Sequence, residues 1–294
     1  MQKLKRIIAC LSLLALTTAF VSCSYVKVIV KDIEITEAVD SKYVQPNDLD
    51  LVYVKINDSN EEYLRIRRIK ATKEEINIAP KYGDYEVREF SLDFYDLNGK
   101  PFENTTTKKI ILPDTIKKMD AIMIDNYRNL EEIVLPKGLT EMINFRSSPT
   151  LKKIEISSEN KKFKVENNKL FDVENNRLIK AFNLESDSIT INGFKEISEF
   201  AITETNLSEI VFEEGVEEIS GSSIRYNDKL TSITLPSTFK GFVEDYDFGF
   251  GYNINALINY DIFDTNDNLK TIYNYSNVEL DLSRYEIEVI KMTK

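Results

Sequence analysis

Apolar residues recur along this chain in one phrase: a leading leucine, a second apolar residue three positions on, and a third two beyond that, with polar residues between. Aligned on the first position, the phrase begins at Thr107 (TKKIILP), Leu130 (LEEIVLP), Leu151 (LKKIEIS), Ser186 (SDSITIN), Leu207 (LSEIVFE), Leu230 (LTSITLP) and Leu269 (LKTIYNY). Its second half alternates apolar and polar, which predicts a short strand with one buried face. Steps between starts are 23, 21, 35, 21, 23 and 39 residues, so four fall at 21 to 23 and the other two become regular once insertions are removed. A fixed period in this range predicts a solenoid, in which each unit buries its apolar face only against its neighbours.

The register extends beyond the strand. Six residues before the aligned position stand Ile124, Phe145, Ala201, Ile224 and Phe263, all apolar, and three before it stand Tyr127, Ser148, Glu204, Asn227 and Asn266, which read as polar loop formers. After the strand, apolar pairs follow three apart: Ile116 and Met119, Leu139 and Met142, Val216 and Ile219. With these residues in view, the pattern resembles the BspA-like leucine-rich repeats of bacterial surface proteins, whose unit runs roughly A-F-x-x-C-x-x-L-x-x-I-x-I-P-x-x-V-x-x-I. The resemblance covers about 105 to 275; Tyr, Ser, Glu or Asn stands here in place of the family's Cys. The fold class expected is mainly β: a leucine-rich-repeat solenoid over 105–282, preceded by a small β domain or cap over 23–104 and followed by a tail over 283–294.

Two insertions interrupt the period. In 160–182, Phe163 and Val165 alternate, Asn167-Asn168 turns, Leu170 and Phe171 return and Asn175-Asn176 turns again, which predicts a β hairpin. The stretch 239–263 carries eight aromatic residues in 25, among them Tyr246, Phe248, Phe250 and Tyr252. These four read either as a stacking platform for sugar or peptide or as a plug over the open end of the array. Before the repeats, "YVKVIV", "LDLVYVKI", "EYLRIRRI" and "REFSLDFYDLNGKPF" read as strands of a sandwich or cap.

Within each rung the leading residue and those three and five positions on point into the core. The residue four positions on points out, onto the strand-lined face. That column reads Ile111, Val134, Glu155, Thr190, Val211, Thr234 and Tyr273, one charge among seven in a chain that is 30% charged. Strand propensity alone favours such residues; a contact surface of low charge favours them equally, and the seven are the candidate binding face.

Composition narrows the chemistry. The chain opens MQKLKR, runs apolar from Ile7 to Val21 and reaches Ser22-Cys23-Ser24, the order of a secretory signal and too short to span a membrane as a helix. A cysteine placed there resembles the lipobox of bacterial lipoproteins, which implies removal of 1–22 and acylation of Cys23; the other reading is a plain cleaved signal with Cys23 a lone thiol. After cleavage Cys23 is the sole cysteine, excluding an internal disulfide, and 35 basic residues face 49 acidic ones, a net charge of −14 that disfavours nucleic acid as partner. With no histidine in the chain, imidazole-based catalysis and His-ligated zinc are excluded. Asp264, Asn266 and Asn268 imitate the start of a calcium loop, but Leu269 stands where it needs glycine and Tyr275 where it needs glutamate.

No cofactor, metal or catalytic residue is expected. By resemblance, the work expected is non-enzymatic binding of protein or host matrix at the outer membrane or cell surface (adhesion), with a lipid anchor in the membrane. Two alternatives stay open: a glycan-binding lipoprotein using 239–263, and a structural envelope component.

Overall fold

The computed structural model describes residues 28–92, 103–243 and 261–293. The repeat phrases stack as parallel strands because their alternate residues have an apolar face to hide and only the neighbouring rung to hide it against. Glu75–Asn77, Lys109–Ile111, Glu132–Leu135 and Lys153–Ile156 form one run, with Ile76 opposite Ile110, Ile110 opposite Ile133 and Ile133 opposite Ile154. We call this the first front ladder. Ser188–Ile191, Glu209–Phe212, Ser232–Leu235, Thr271–Asn274 and Glu288–Lys291 form the second.

After each front strand up to Ser232–Leu235 the chain turns and returns on the far side of the core. Glu61–Ile69, Tyr85–Ser91, Lys118–Ala121 and Glu141–Phe145 make the first back sheet, in parallel order, and Leu49–Ile56 and Val28–Ile33 extend it antiparallel. Arg177–Ala181, Glu196–Ile197, Glu218–Ser220 and Gly241–Val243 make the second. Lys169–Asp172 and Phe163–Glu166 join its edge as an antiparallel hairpin. Asn167 and Asn168 both take left-handed backbone there, at φ 49 and 56, as a tight hairpin turn of matching twist requires and as Asn tolerates.

Front and back residues interleave in two cores. The first holds Ile110, Ile133 and Ile154 from the front with Phe90, Met119 and Met142 from the back; the second holds Ile210, Ile233 and Ile272 with Ile197 and Ile219. Each fully buried isoleucine contributes about 2 to 3 kcal/mol by leaving water, so the rungs are held chiefly by this column.

Two expected boundaries fall elsewhere in space. The expected start of the array at 105 falls inside the first ladder, because Glu75–Asn77 already forms a rung and Tyr85–Ser91 a back strand. Residues 44–90 share the first core with the repeats, the arrangement a cap stacked on them has. The stretch 283–294, read as a tail, supplies Glu288–Lys291 as a last rung paired along Thr271–Asn274. Both were hidden for one reason: an edge rung needs apolar residues on fewer positions, so the phrase fades there.

Candidate functional site

The outward column is real but divided. Ile111, Val134 and Glu155 stand in register on the first front ladder, and Thr190, Val211, Thr234 and Tyr273 on the second. Within each run neighbouring strands are about 4.8 Å apart. No strand pairing joins Glu155 to Thr190.

The adjacent outward column separates the two halves further. On the first ladder it reads Lys109, Glu132 and Lys153, and both lysines reach the same Glu132 carboxylate oxygen, at 3.1 and 3.4 Å. Lys153 also contacts Glu155. Partial burial pushes the Glu132 carboxyl up, but hydrogen bonds and charge from Lys109 and Lys153 outweigh that and hold it below the usual carboxylate range. On the second ladder the column reads Ser188, Glu209, Ser232 and Thr271. With the residues beside it, and Glu288 and Ile290 on the last rung, this makes a face of hydroxyls, Val211, Tyr273 and Ile290 carrying two carboxylates among ten positions. On the first ladder's face four charged residues pair with one another beside Ile111 and Val134, whereas the second offers mixed polar and apolar surface with fewer charges.

Of the corner positions, which read as loop formers, Glu204 is half-buried and the others are buried. Asn104, Tyr127, Ser148, Asn227 and Asn266 are each 2% exposed or less. Asn227 shows why. Its Oδ1 accepts from the Thr205 backbone N–H at 2.9 Å and the Thr205 hydroxyl at 2.6 Å. Its Nδ2 donates to Ile202 O at 3.1 Å, and its backbone N–H donates to Asn266 Oδ1 at 2.9 Å. Asn266 Nδ2 in turn donates to Ile224 O and Ile262 O. Each corner turns the chain inside the molecule, where backbone groups of two rungs must be satisfied without water, and an amide with donors and acceptors on one side chain can serve both. The Asp264–Asn268 imitation of a calcium loop is absorbed here, since the Asn266 side chain is spent on backbone and Asn268 Nδ2 donates to Asp228 O.

One buried charge stands behind the junction of the two ladders. Lys180 lies six positions before Ser186, in the column otherwise filled by apolar residues, and is 3% exposed. Its Nζ donates to Phe200 O at 3.0 Å and Thr203 Oγ1 at 2.7 Å, both neutral acceptors. Burial pushes its ammonium down to about 7, with Glu204 and Asp125 opposing and Arg146 assisting from further off. Asp125, also buried, bonds Arg146 Nε at 2.9 Å; burial pushes its carboxyl up, against the pull of Arg146 and Arg128. The Arg146 guanidinium lies 5.6 Å from the Phe200 ring and 5.9 Å from that of Tyr226, tying the first half to the second.

The remaining residues singled out above sort simply. In the strand read from "EYLRIRRI" and just after it, the basic residues are neutralised in place: Arg68 and Lys70 pair with Asp50, Arg67 with Asp32 and Arg65 with Glu89. Of the aromatic insertion, Phe239, Phe242 and Phe263 pack edge to face at 5.0 and 5.5 Å against the second core. Tyr246, Phe248, Phe250 and Tyr252 lie outside the described residues, as does Cys23.

Comparison with known proteins gives a family profile, described as "BspA type Leucine rich repeat region", that matches six copies over residues 88–177 and 165–255. No curated protein sequence matches the chain. Among solved structures, a leucine-rich repeat protein from Eubacterium ventriosum is 13% identical, with 89% of this chain and 78% of that one covered at a TM-score of 0.48. The pneumococcal vaccine antigen PcpA is 13% identical over 81% of this chain and 82% of its own, at 0.38. A leucine-rich cell surface protein from Faecalibacterium prausnitzii is 12% identical over 82% and 92%, at 0.27.

Proposed function

Because the chain belongs to the BspA-type leucine-rich repeat family, we propose that it works as a non-enzymatic binding protein at the bacterial surface, held to the membrane through an acylated Cys23 and gripping a protein or matrix partner with its second front ladder. The observation that carries this is the contrast between the ladders. Thr190, Val211, Thr234 and Tyr273, with Ser188, Ser232 and Thr271, form one low-charge face in an acidic molecule. On the first ladder the outward Lys109, Glu132, Lys153 and Glu155 are already paired with one another. The apolar leader and the cysteine directly after it support export and anchoring, since two acyl chains on one cysteine hold a protein at a bilayer where one does not.

The face is tested by surface plasmon resonance against a panel of purified extracellular-matrix proteins. Saturable binding to at least one is expected, weakened about a hundredfold by Val211→Lys with Thr234→Lys, because two ammonium groups would be desolvated at the contact. Val134→Lys, on the first ladder, is expected to leave that affinity within about threefold. Both variants keep their fold, since neither position faces the core. Binding that survives the double change but dies with Val134→Lys would move the contact to the first ladder, and no binding to any matrix protein would remove the matrix as partner.

A further inference from the structure

The junction between the front ladders has no front strand. Between Lys153–Ile156 and Ser188–Ile191 the chain makes three strands, Phe163–Glu166, Lys169–Asp172 and Arg177–Ala181, and all three lie in the second back sheet. Their apolar residues fill the interior on both sides, with Phe163, Leu170 and Ile179 in the first core and Leu178 and Ala181 in the second. The two cores therefore both draw on these strands behind the junction, and no front strand lies over them.

Burial along the ladders marks the same place. In Lys109–Ile111, Glu132–Leu135, Glu209–Phe212, Ser232–Leu235 and Thr271–Asn274 the inward residues are buried and the outward ones half-buried. On the two strands flanking the junction, both outward residues are exposed: Lys153 and Glu155 on one lip, Ser188 and Thr190 on the other. Each of these strands also has one core isoleucine only half-covered, Ile156 and Ile189. A neighbouring strand would normally shield all six.

The backbone completes the picture. Alternate residues of a parallel strand turn their N–H and C=O to opposite neighbours. Lys153 donates to Glu131 O and Glu213 donates to Ile191 O, so Ile154, Ile156 and Thr190 turn their amides toward the junction. Among the described hydrogen bonds none uses these amides. A row of open donors and acceptors is a template for one occupant, another extended chain.

We propose that the junction receives a β-strand from the protein partner. The segment it fits is extended and about six residues long, with apolar side chains at alternate positions to cover Ile156 and Ile189 and small or hydroxylated ones facing out, as in the molecule's own rungs. Near its first residue the lysines of one lip are already paired, Lys152 with Glu131 and Lys153 with Glu132 and Glu155, while Glu185 and Asp187 stand exposed on the other, which suits a strand without negative charge at that end. This deepens the protein-binding reading and rests on it for the class of partner.

The probe is a synthetic copy of one rung, KLTSITLP, residues 229–236, labelled at its N-terminus and titrated against the full mature protein by fluorescence anisotropy. Saturable binding is expected below about 100 µM, lost when alternate backbone nitrogens of the peptide are methylated and weakened at least tenfold by Ile189→Lys or, separately, Ile156→Lys. Hydrogen exchange supplies the second reading: the amides of Ile154, Ile156 and Thr190 exchange at least tenfold faster than those of Ile133 and Ile210 in the free protein and slow when the peptide is bound. No saturable binding, or binding indifferent to N-methylation, overturns the proposal. So does full protection of those three amides without peptide. Matrix binding that persists while the peptide fails would overturn the strand proposal and leave the face reading standing.

Discussion

Replacing Lys180 by methionine stabilises the protein and removes a pH dependence that the wild type shows. In the unfolded chain this lysine titrates near 10.5, and in the folded one at about 7, because burial withholds the water its charge needs. Between those values the unfolded state holds the proton and the folded state does not. Folding is therefore opposed throughout that window, and stability rises with pH across it. Below about 7 the penalty is complete and constant; above 10.5 it is gone. At about 1.36 kcal/mol per pH unit, the wild type is expected to gain on the order of 3 kcal/mol relative to Lys180→Met between pH 7 and pH 9.5. The variant forfeits the bonds to Phe200 O and Thr203 Oγ1, about 1 kcal/mol each, and still comes out ahead at pH 7. Urea unfolding of both proteins at the two pH values measures this directly, and curves that move in parallel would show that the site is wetter than its 3% exposure implies.

Cutting Asn227 back to alanine does the opposite. The change leaves the Thr205 N–H and Ile202 O without the side-chain partners they have at 2.9 and 3.1 Å, and takes one contact from Asn266 Oδ1. A buried polar group stranded in this way costs about 1 to 3 kcal/mol, so a loss of about 3 to 5 kcal/mol is expected. Thr205→Ala, which removes one hydroxyl from the same network, is expected to cost no more than about 1.5 kcal/mol. Denaturation midpoints rank the two. If Asn227→Ala fell within 1 kcal/mol of wild type, water rather than the amide would be serving the corner.

These two residues also show where reading from sequence succeeds and fails. The front rungs are legible because Leu130, Ile133 and Leu135, or Leu230, Ile233 and Leu235, repeat a period that only stacking explains, and the structure places all six in its cores. Asn227 was visible as polar and its burial was not, since polarity in a corner signals exposure unless the backbone turning there needs a partner. Lys180 was concealed by the hairpin before it, which breaks the period just where the apolar column admits a charge. The outward column was legible as seven residues but not as two groups, because pairing between strands is a property of neighbours in space. Sequence spacing alone gave no sign that the hairpin adds back strands without a front one.

Protein binding at the surface requires the second ladder to meet the medium, and protease treatment of intact cells asks that question most directly. Added to whole cells, the protease is expected to remove the mature chain within the time it takes to degrade a known surface protein, while a periplasmic marker stays intact. A chain that resists until the cells are lysed, and is then digested, would place the ladders inside the envelope and contradict the account.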